Sequence, residues 1–182
     1  EGPRMPRGLL ALHDGDWLVT DLGSWDQGRG AIWRLSFGVD GAPRWRQLAQ
    51  GLSMPHTAAR GPDGRIYVSE MNRILTVDPD AADPAATVRT VIGDLPDNRL
   101  HANRHPLSSF VFDENGDLLV NVGAPSDRCV DARGRARANA SGGCIDSAAT
   151  AQVRRHAYLG NGRWADDSTV FASGLRNSIA LV

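Results

Sequence analysis

The chain has 182 residues, 41% of them hydrophobic, which is enough for a sizeable core. Its formal net charge is −1. Its 20 basic residues are all arginines and form no basic block, which argues against nucleic acid or a membrane surface as the main partner. We find no apolar run of about 18 residues and therefore predict no membrane-spanning helix.

A repeated strand–turn–strand pattern is the main structural signal. It occurs at 8–21, 57–70 and 109–122, each time as an apolar strand, a turn ending in Asp-Gly or Asn-Gly, and a second apolar strand. These dipeptides favour the positive φ angles of two-residue hairpins. Since a period of about 50 residues built from strands is typical of a β-propeller, the sequence predicts an all-β propeller fold.

The repeats also predict the organisation of the chain. The expected boundaries are 7–51 for blade one, 52–95 for blade two, 96–174 for blade three with an insertion at 123–151, and 175–182 for the first strand of blade four. Three blades and a strand cannot close a ring. We therefore expect the chain to be the N-terminal part of a single propeller domain and the remaining blades to be its partners.

The only two cysteines, Cys129 and Cys144, lie within the insertion in blade three. A disulfide between them would close a loop of about 15 residues, worth about 3 kcal/mol in the chain-entropy model. Such a bridge is typical of an oxidising compartment such as the periplasm, or of a secreted protein. Two free thiols in a cytosolic protein are the alternative.

Three segments precede the innermost strand of a blade, at 54–56, 103–106 and 174–177. In a propeller such segments surround the central channel, so we expect His56, His105 and the pair Arg176 and Asn177 to converge there. An imidazole that titrates near neutral pH, beside a guanidinium that stabilises negative charge, is suited to general-base chemistry.

Other side chains have simpler expected roles. We expect His156, on an outer strand beside two arginines, to lie on a solvated face, and His13 to lie in a solvated turn. The tryptophans at 17, 33 and 45 are expected to pack between blades rather than stack on a sugar.

The run from His105 to Gly123, continuing to Cys129, together with Gly174-Leu-Arg-Asn177, resembles the glucose/sorbosone dehydrogenase family. The resemblance implies a six-bladed propeller that uses pyrroloquinoline quinone (PQQ) with calcium to oxidise a sugar. It implies that His105 is the base that takes the proton of a sugar hydroxyl while hydride passes to the quinone. The resemblance also implies that Arg176 and Asn177 bind the quinone. From its position at the channel, His56 is a further candidate for a cofactor contact, and a structural or channel-lining role is the alternative. The calcium ligands are expected in later blades, and the electrons would pass to an acceptor such as a cytochrome or a soluble quinone.

The sequence departs from the family pattern near the predicted site. Ser109 stands where the family commonly has an arginine, and Ser178-Ile-Ala180 replaces a glycine-containing turn. His101, which begins a second His-x-x-Arg sequence, is an alternative base, although the spacing to the strand favours His105.

Two other functions fit the repeats. A calcium-dependent lactonase-type hydrolase would need a carboxylate on the channel floor as a metal ligand, and Glu70 and Asp21 are the well-placed candidates. The second alternative is a propeller without catalytic activity that acts only as a binding scaffold.

Overall fold

A computed structural model describes residues 2–97, 104–130, 133–137, 150–178 and 181. The chain divides into two compact units, Glu1–Gly93 and Asp94–Val182. The described residues form antiparallel strands, with a single short 3₁₀ helix at Ala85–Thr87, so the predicted all-β class is confirmed.

The first unit holds two four-stranded antiparallel sheets, in each of which the strands lie side by side in chain order. The strands of the first sheet are β1 Pro6–Ala11, β2 Trp17–Asp21, β3 Gly30–Phe37 and β4 Pro43–Leu52. Those of the second are β5 Ala58–Arg60, β6 Ile66–Glu70, β7 Arg73–Val77 and β8 Arg89–Ile92. This up-and-down order is the topology of a propeller blade.

The second unit holds a third sheet of the same kind, with the order β14-β11-β10-β9. Its strands are β9 Phe110–Phe112, β10 Leu118–Val122, β11 Gln152–His156 and β14 Thr169–Ser173. A small hairpin that we did not predict, β12 Tyr158–Gly160 and β13 Arg163–Trp164, lies between its last two strands in the sequence. Aromatic packing explains it, because the Trp164 ring centroid lies 5.1 Å from that of Tyr158 and 5.5 Å from that of Phe112.

The hairpin turns of the repeat differ from the prediction. In the first, the Leu12 N–H donates to Asp16 O, the Gly15 N–H donates to Leu12 O, and Gly15 has φ of 87°. The same bonds recur around Gly64 and Gly116, and the residue before each of these glycines has no positive φ. These are three-residue loops in which a single left-handed glycine follows a tight turn, not two-residue hairpins.

Apolar side chains fill the space between the first two sheets. Leu18 and Ile32 of the first sheet are fully buried in one cluster with Val68 and Leu75 of the second. The opposite face of the first sheet stays partly open, since Leu9 is 64% exposed and Phe37 55%. That face has the composition of a surface that packs against another sheet.

Candidate functional site

His105 and Arg176 are brought together at the end of β10 by a glycine. A Cβ atom at Gly123, the residue after the strand, would lie 2.3 Å from His105 O and 2.9 Å from Arg176 O. Both distances are far shorter than a non-bonded contact allows. Ala124 continues the contact, since its N–H donates to Arg176 O at 2.7 Å. The absence of a side chain at position 123 thus allows both predicted site segments to lie against the same strand end.

The ring of His105 is held in a defined orientation. Its side chain is 13% exposed, and Nδ1 lies 2.6 Å from the main-chain oxygen of Ala124. Because a carbonyl oxygen only accepts, Nδ1 carries the proton and donates it. Nε2 is therefore the ring nitrogen that can exchange a proton with a ligand. It lies 3.1 Å from Asp127 Oδ1.

Asp127 joins the predicted histidine and arginine into one cluster. Its Oδ1 also lies 3.7 Å from Arg176 NH1, and its Oδ2 accepts a hydrogen bond from Arg104 NH1 at 3.2 Å. The carboxylate is 48% exposed, and the two arginine side chains are more exposed still. We call Arg104, His105, Asp127 and Arg176 the His105 cluster.

Asp127 and Arg104 were not predicted from the sequence as members of this cluster. Arg104 precedes His105 directly, and Asp127 follows the end of β10 by five residues. No local sequence pattern marks Asp127, which is identified by the 3.1 Å distance from its Oδ1 to Nε2 of His105. Asn177, the remaining predicted residue of this segment, is exposed beside Arg176.

The serine found in place of the family's arginine has a structural role. Ser109 is 1% exposed, and its Oγ donates to Ser178 O at 2.6 Å. Ser108 Oγ also approaches the Ser178 oxygen, at 3.3 Å. These bonds attach the segment after Arg176 to the residues just before β9. His101, Ile179 and Ala180 lie outside the described residues, so the alternative base stays a prediction.

His56 belongs to the first unit and does not occupy a position equivalent to His105. Ala58 and Phe110 begin the corresponding strands of their sheets, and they pair with Val68 and Val120. His56 stands two residues before Ala58, whereas His105 stands five residues before Phe110. The His56 N–H donates to Ser69 O at 3.0 Å, and its oxygen accepts from Thr20 Oγ1 at 2.5 Å. Its main chain thus connects the first two sheets.

The surroundings of the His56 ring favour its neutral form. Burial, together with the positive charge of Arg7, lowers the pKa of His56 from its ordinary value of 6.5. The role of His56 as a cofactor contact stays a prediction.

The two carboxylates that a hydrolase would need as metal ligands make structural hydrogen bonds instead. Asp21, at the end of β2, accepts hydrogen bonds from the main-chain N–H groups of Arg4, Met5 and Gly23. Burial raises its pKa, but these three bonds outweigh that effect and hold the pKa below the usual 3.8.

Glu70 stands at the corresponding end of β6. It accepts from the Ser53 N–H and from Arg73 Nε. Asp21 and Glu70 are 3% and 2% exposed. Among the described residues, no group of three or more His, Cys, Asp or Glu side chains could hold a metal ion.

The prediction for His156 was wrong. The residue is 2% exposed, and its Nδ1 lies 2.9 Å from Ala165 O. The reason is the unpredicted hairpin, which follows β11 directly and brings Ala165 against the ring. Burial lowers the pKa of His156.

Cys129 has no free thiol. Cys144 lies outside the described residues, so its pairing with Cys129 stays a prediction. In the described part of the chain, no helix is long and apolar enough to cross a membrane.

Comparison with solved structures agrees with the predicted propeller fold. The PQQ domain of pyranose dehydrogenase from Coprinopsis cinerea superposes with a TM-score of 0.59 at 24% identity, over 97% of this chain and 40% of that one. The PQQ-bound aldose sugar dehydrogenase from Streptomyces coelicolor gives 0.59 at 18% identity, over 97% and 52%. A putative glucose dehydrogenase from Thermus thermophilus gives 0.57 at 20%, over 97% and 54%.

The fold is thus that of a β-propeller, and similar structures include PQQ sugar dehydrogenases, the kind of protein that the sequence resembles. The chain spans about half the length of these proteins or less. No protein-family model matches the chain. No curated protein matches it either.

Proposed function

We propose that the chain is part of a PQQ-dependent sugar dehydrogenase and that the His105 cluster is its reaction centre. The observation that supports this most strongly is the hydrogen bond between His105 Nδ1 and Ala124 O. It fixes the tautomer of the neutral ring, in which Nδ1 carries the proton and Nε2 is the nitrogen that can take one up, as a general base requires. Nε2 then takes the proton of the sugar hydroxyl that becomes the carbonyl.

The donor set of the cluster fits the proposed cofactor. PQQ is a quinone that carries carboxylate groups, and Arg104 and Arg176 offer guanidinium groups that bind such oxygens in pairs. When bound, PQQ would supply the acceptor for the hydride that leaves the same sugar carbon. Arg176 and Asn177 would hold its oxygens, and His56 would be a further contact. Calcium, whose ligands we expect in other blades, would complete the site.

Asp127 has a defined place in this proposal. In the structure its carboxylate stands at Nε2 of His105, where the sugar hydroxyl has to bind. The hydroxyl therefore displaces the carboxylate from Nε2. Once His105 has taken the proton, the nearby negative charge stabilises the imidazolium. Asp127 is exposed enough to make this shift without disturbing the core.

The partners and the location follow from the same proposal. The exposed apolar face of the first sheet supports further blades of the same propeller as a partner, because sheets in such folds are covered on both faces. A disulfide between Cys129 and Cys144, whose pairing stays a prediction, would fit a periplasmic or secreted location. There the electrons would pass from the cofactor to a cytochrome or a soluble quinone.

Dye reduction tests the proposed function. The full-length protein is incubated with PQQ and calcium, and sugar-dependent reduction of an artificial dye is followed. We expect activity only after reconstitution, and a loss of at least a hundredfold in His105→Ala, in line with removal of a general base. His13→Ala, which changes a 70% exposed histidine in a turn, is the matched control and should retain full activity.

The alternatives predict other results. A lactonase would hydrolyse a lactone with calcium alone and reduce no dye, and a scaffold would do neither. No sugar-dependent dye reduction by folded, PQQ-treated protein would therefore exclude the dehydrogenase.

A further inference from the structure

Asp127 makes contacts that the proposed ligands would need for themselves. Its Oδ1 lies 3.1 Å from His105 Nε2 and 3.7 Å from Arg176 NH1, and its Oδ2 accepts a hydrogen bond from Arg104 NH1 at 3.2 Å. In the proposed site Nε2 has to reach the sugar hydroxyl, and the two guanidinium groups would bind carboxylate groups of PQQ. The carboxylate of Asp127 therefore occupies both the base and the anion-binding groups of the His105 cluster.

The contact at Nε2 is incompatible with the action of His105 as a base. The ring already donates from Nδ1 to Ala124 O, and a carboxylate only accepts hydrogen bonds. Asp127 can thus hydrogen-bond to Nε2 only when that nitrogen also carries a proton. Because a ring with a proton on both nitrogens cannot take one from a sugar, Asp127 has to leave Nε2 before the reaction.

The main chain on either side of Asp127 is held in place, so this carboxylate moves by rotation of its side chain. On one side the Ala124 N–H donates to Arg176 O at 2.7 Å. On the other side Cys129 has no free thiol, and its main-chain oxygen accepts from the Arg137 N–H at 2.9 Å. The Asp127 side chain is itself 48% exposed and can turn into solvent without opening the core.

The two arginines carry the permanent positive charge that keeps Asp127 in this position. Arg104 and Arg176 are 69% and 62% exposed, and ion pairs at such exposure are individually weak. A guanidinium group that pairs with another carboxylate is no longer available to Asp127. A ligand with several carboxylates can therefore release this side chain, whereas a neutral sugar competes with it only at Nε2.

We propose that Asp127 closes the empty site to sugar, and that Arg104 and Arg176 release it when they pair with the carboxylates of PQQ. The cofactor therefore binds before the sugar. This inference rests on the proposed function. Because coupling between two binding equilibria is reciprocal, Asp127 opposes cofactor binding by the same factor by which the cofactor loosens Asp127.

Calorimetric titration of PQQ, in the presence of calcium, into the full-length protein and its Asp127→Asn variant measures this opposition. We expect Asp127→Asn to bind PQQ more tightly by about fivefold or more, the lower end of typical coupling between two sites. Asp166→Asn, which removes one negative charge from an exposed position in the same unit, is the matched control and should bind like the wild type. Circular dichroism establishes that all variants are folded.

A second background separates competition for the arginines from general charge repulsion. In Arg104→Ala one of the contested groups is absent, so the gain in PQQ affinity caused by Asp127→Asn should become smaller. A gain of equal size in both backgrounds would contradict the proposed competition.

Two further results would overturn the proposal: PQQ binding by Asp127→Asn that is equal to or weaker than that of the wild type, as expected if the carboxylate only orients the arginines, or an equal gain in Asp166→Asn. In either case, binding of PQQ by the wild type and sugar-dependent reduction of dye would leave the proposed function intact. No binding of PQQ by the folded wild type or by Asp127→Asn would instead contradict both proposals.

Discussion

The Nε2 atom of His105 lies 3.1 Å from Oδ1 of Asp127, and the same oxygen lies 3.7 Å from Arg176 NH1. Two residues that are 71 positions apart in the sequence, His105 and Arg176, thus share one carboxylate. This carboxylate links the proposed base to the group that would bind the cofactor.

Asp127→Asn should reduce turnover without unfolding the protein. The amide keeps the shape of the side chain but removes the charge that stabilises the imidazolium, so we expect kcat to fall about tenfold to a hundredfold. Because its ion pairs are solvent-exposed, the free energy of unfolding should change by less than about 1 kcal/mol. Steady-state kinetics and urea unfolding measure the two effects. A wild-type kcat would contradict a role for this carboxylate in the reaction.

Gly123→Ala should disturb both segments of the site at once. Its Cβ would lie 2.3 Å from His105 O, and relieving such a clash in a packed region costs about 1–3 kcal/mol. We expect a lower midpoint of urea unfolding and a loss of PQQ binding.

The matched control for this change is Gly93→Ala, where the nearest atom to a new Cβ is Thr90 Cγ2 at 3.4 Å. It should be neutral in both measurements. Equal effects at the two positions would show that close approach at Gly123 is unimportant.

Asp21→Asn should destabilise the first unit by about 2 kcal/mol, because a buried acceptor with three main-chain donors loses its charge. Since this carboxylate has a structural role, a calcium chelator should leave the unfolding curve of the wild type unchanged in this unit. Urea unfolding with and without chelator makes the comparison. A chelator effect that disappears in Asp21→Asn would instead identify a metal ligand and revive the hydrolase.

Acid should destabilise the protein through His156. Its pKa is lowered in the folded state, so the unfolded chain binds the proton more readily. The stabilising effect of the neutral ring is complete above pH 6.5, the ordinary pKa, and is lost as the pH falls through the lower folded value.

We therefore expect the free energy of unfolding to fall more steeply with acid in the wild type than in His156→Gln as the pH decreases below 6.5. His13→Gln, at an exposed position, is the control and should follow the wild type. Parallel curves for His156→Gln and the wild type would contradict the assignment.

The blade pattern could be predicted from sequence because each repeat carries its own turn glycine and alternating apolar residues. The turn type could not, since Asp-Gly is compatible with both two- and three-residue loops, and the ladder bonds around Leu12 and Asp16 decide between them. The burial of His156 could not be predicted either. It depends on the hairpin β12–β13, whose aromatic contacts join residues that are up to 52 positions apart, Phe112 and Trp164.

The candidate site could be predicted from the sequence only in part. His105 and Arg176 have recognisable local sequences, whereas Asp127 has none and is identified only by its distance from the ring. Asp21 and Glu70 looked equally suited to bind a metal. Their actual partners are main-chain N–H groups and an arginine, which no spacing rule for metal ligands reveals.

The most direct test of the central claim is calorimetric titration of PQQ, in the presence of calcium, into the full-length protein and into Arg176→Ala. Arg65→Ala, a 61% exposed arginine in the first unit, is the matched control. We predict tight binding by the wild type and by Arg65→Ala, and binding weakened at least tenfold in Arg176→Ala. No binding by folded wild-type protein, or equal binding by all three proteins, would contradict the claim that the His105 cluster holds the quinone.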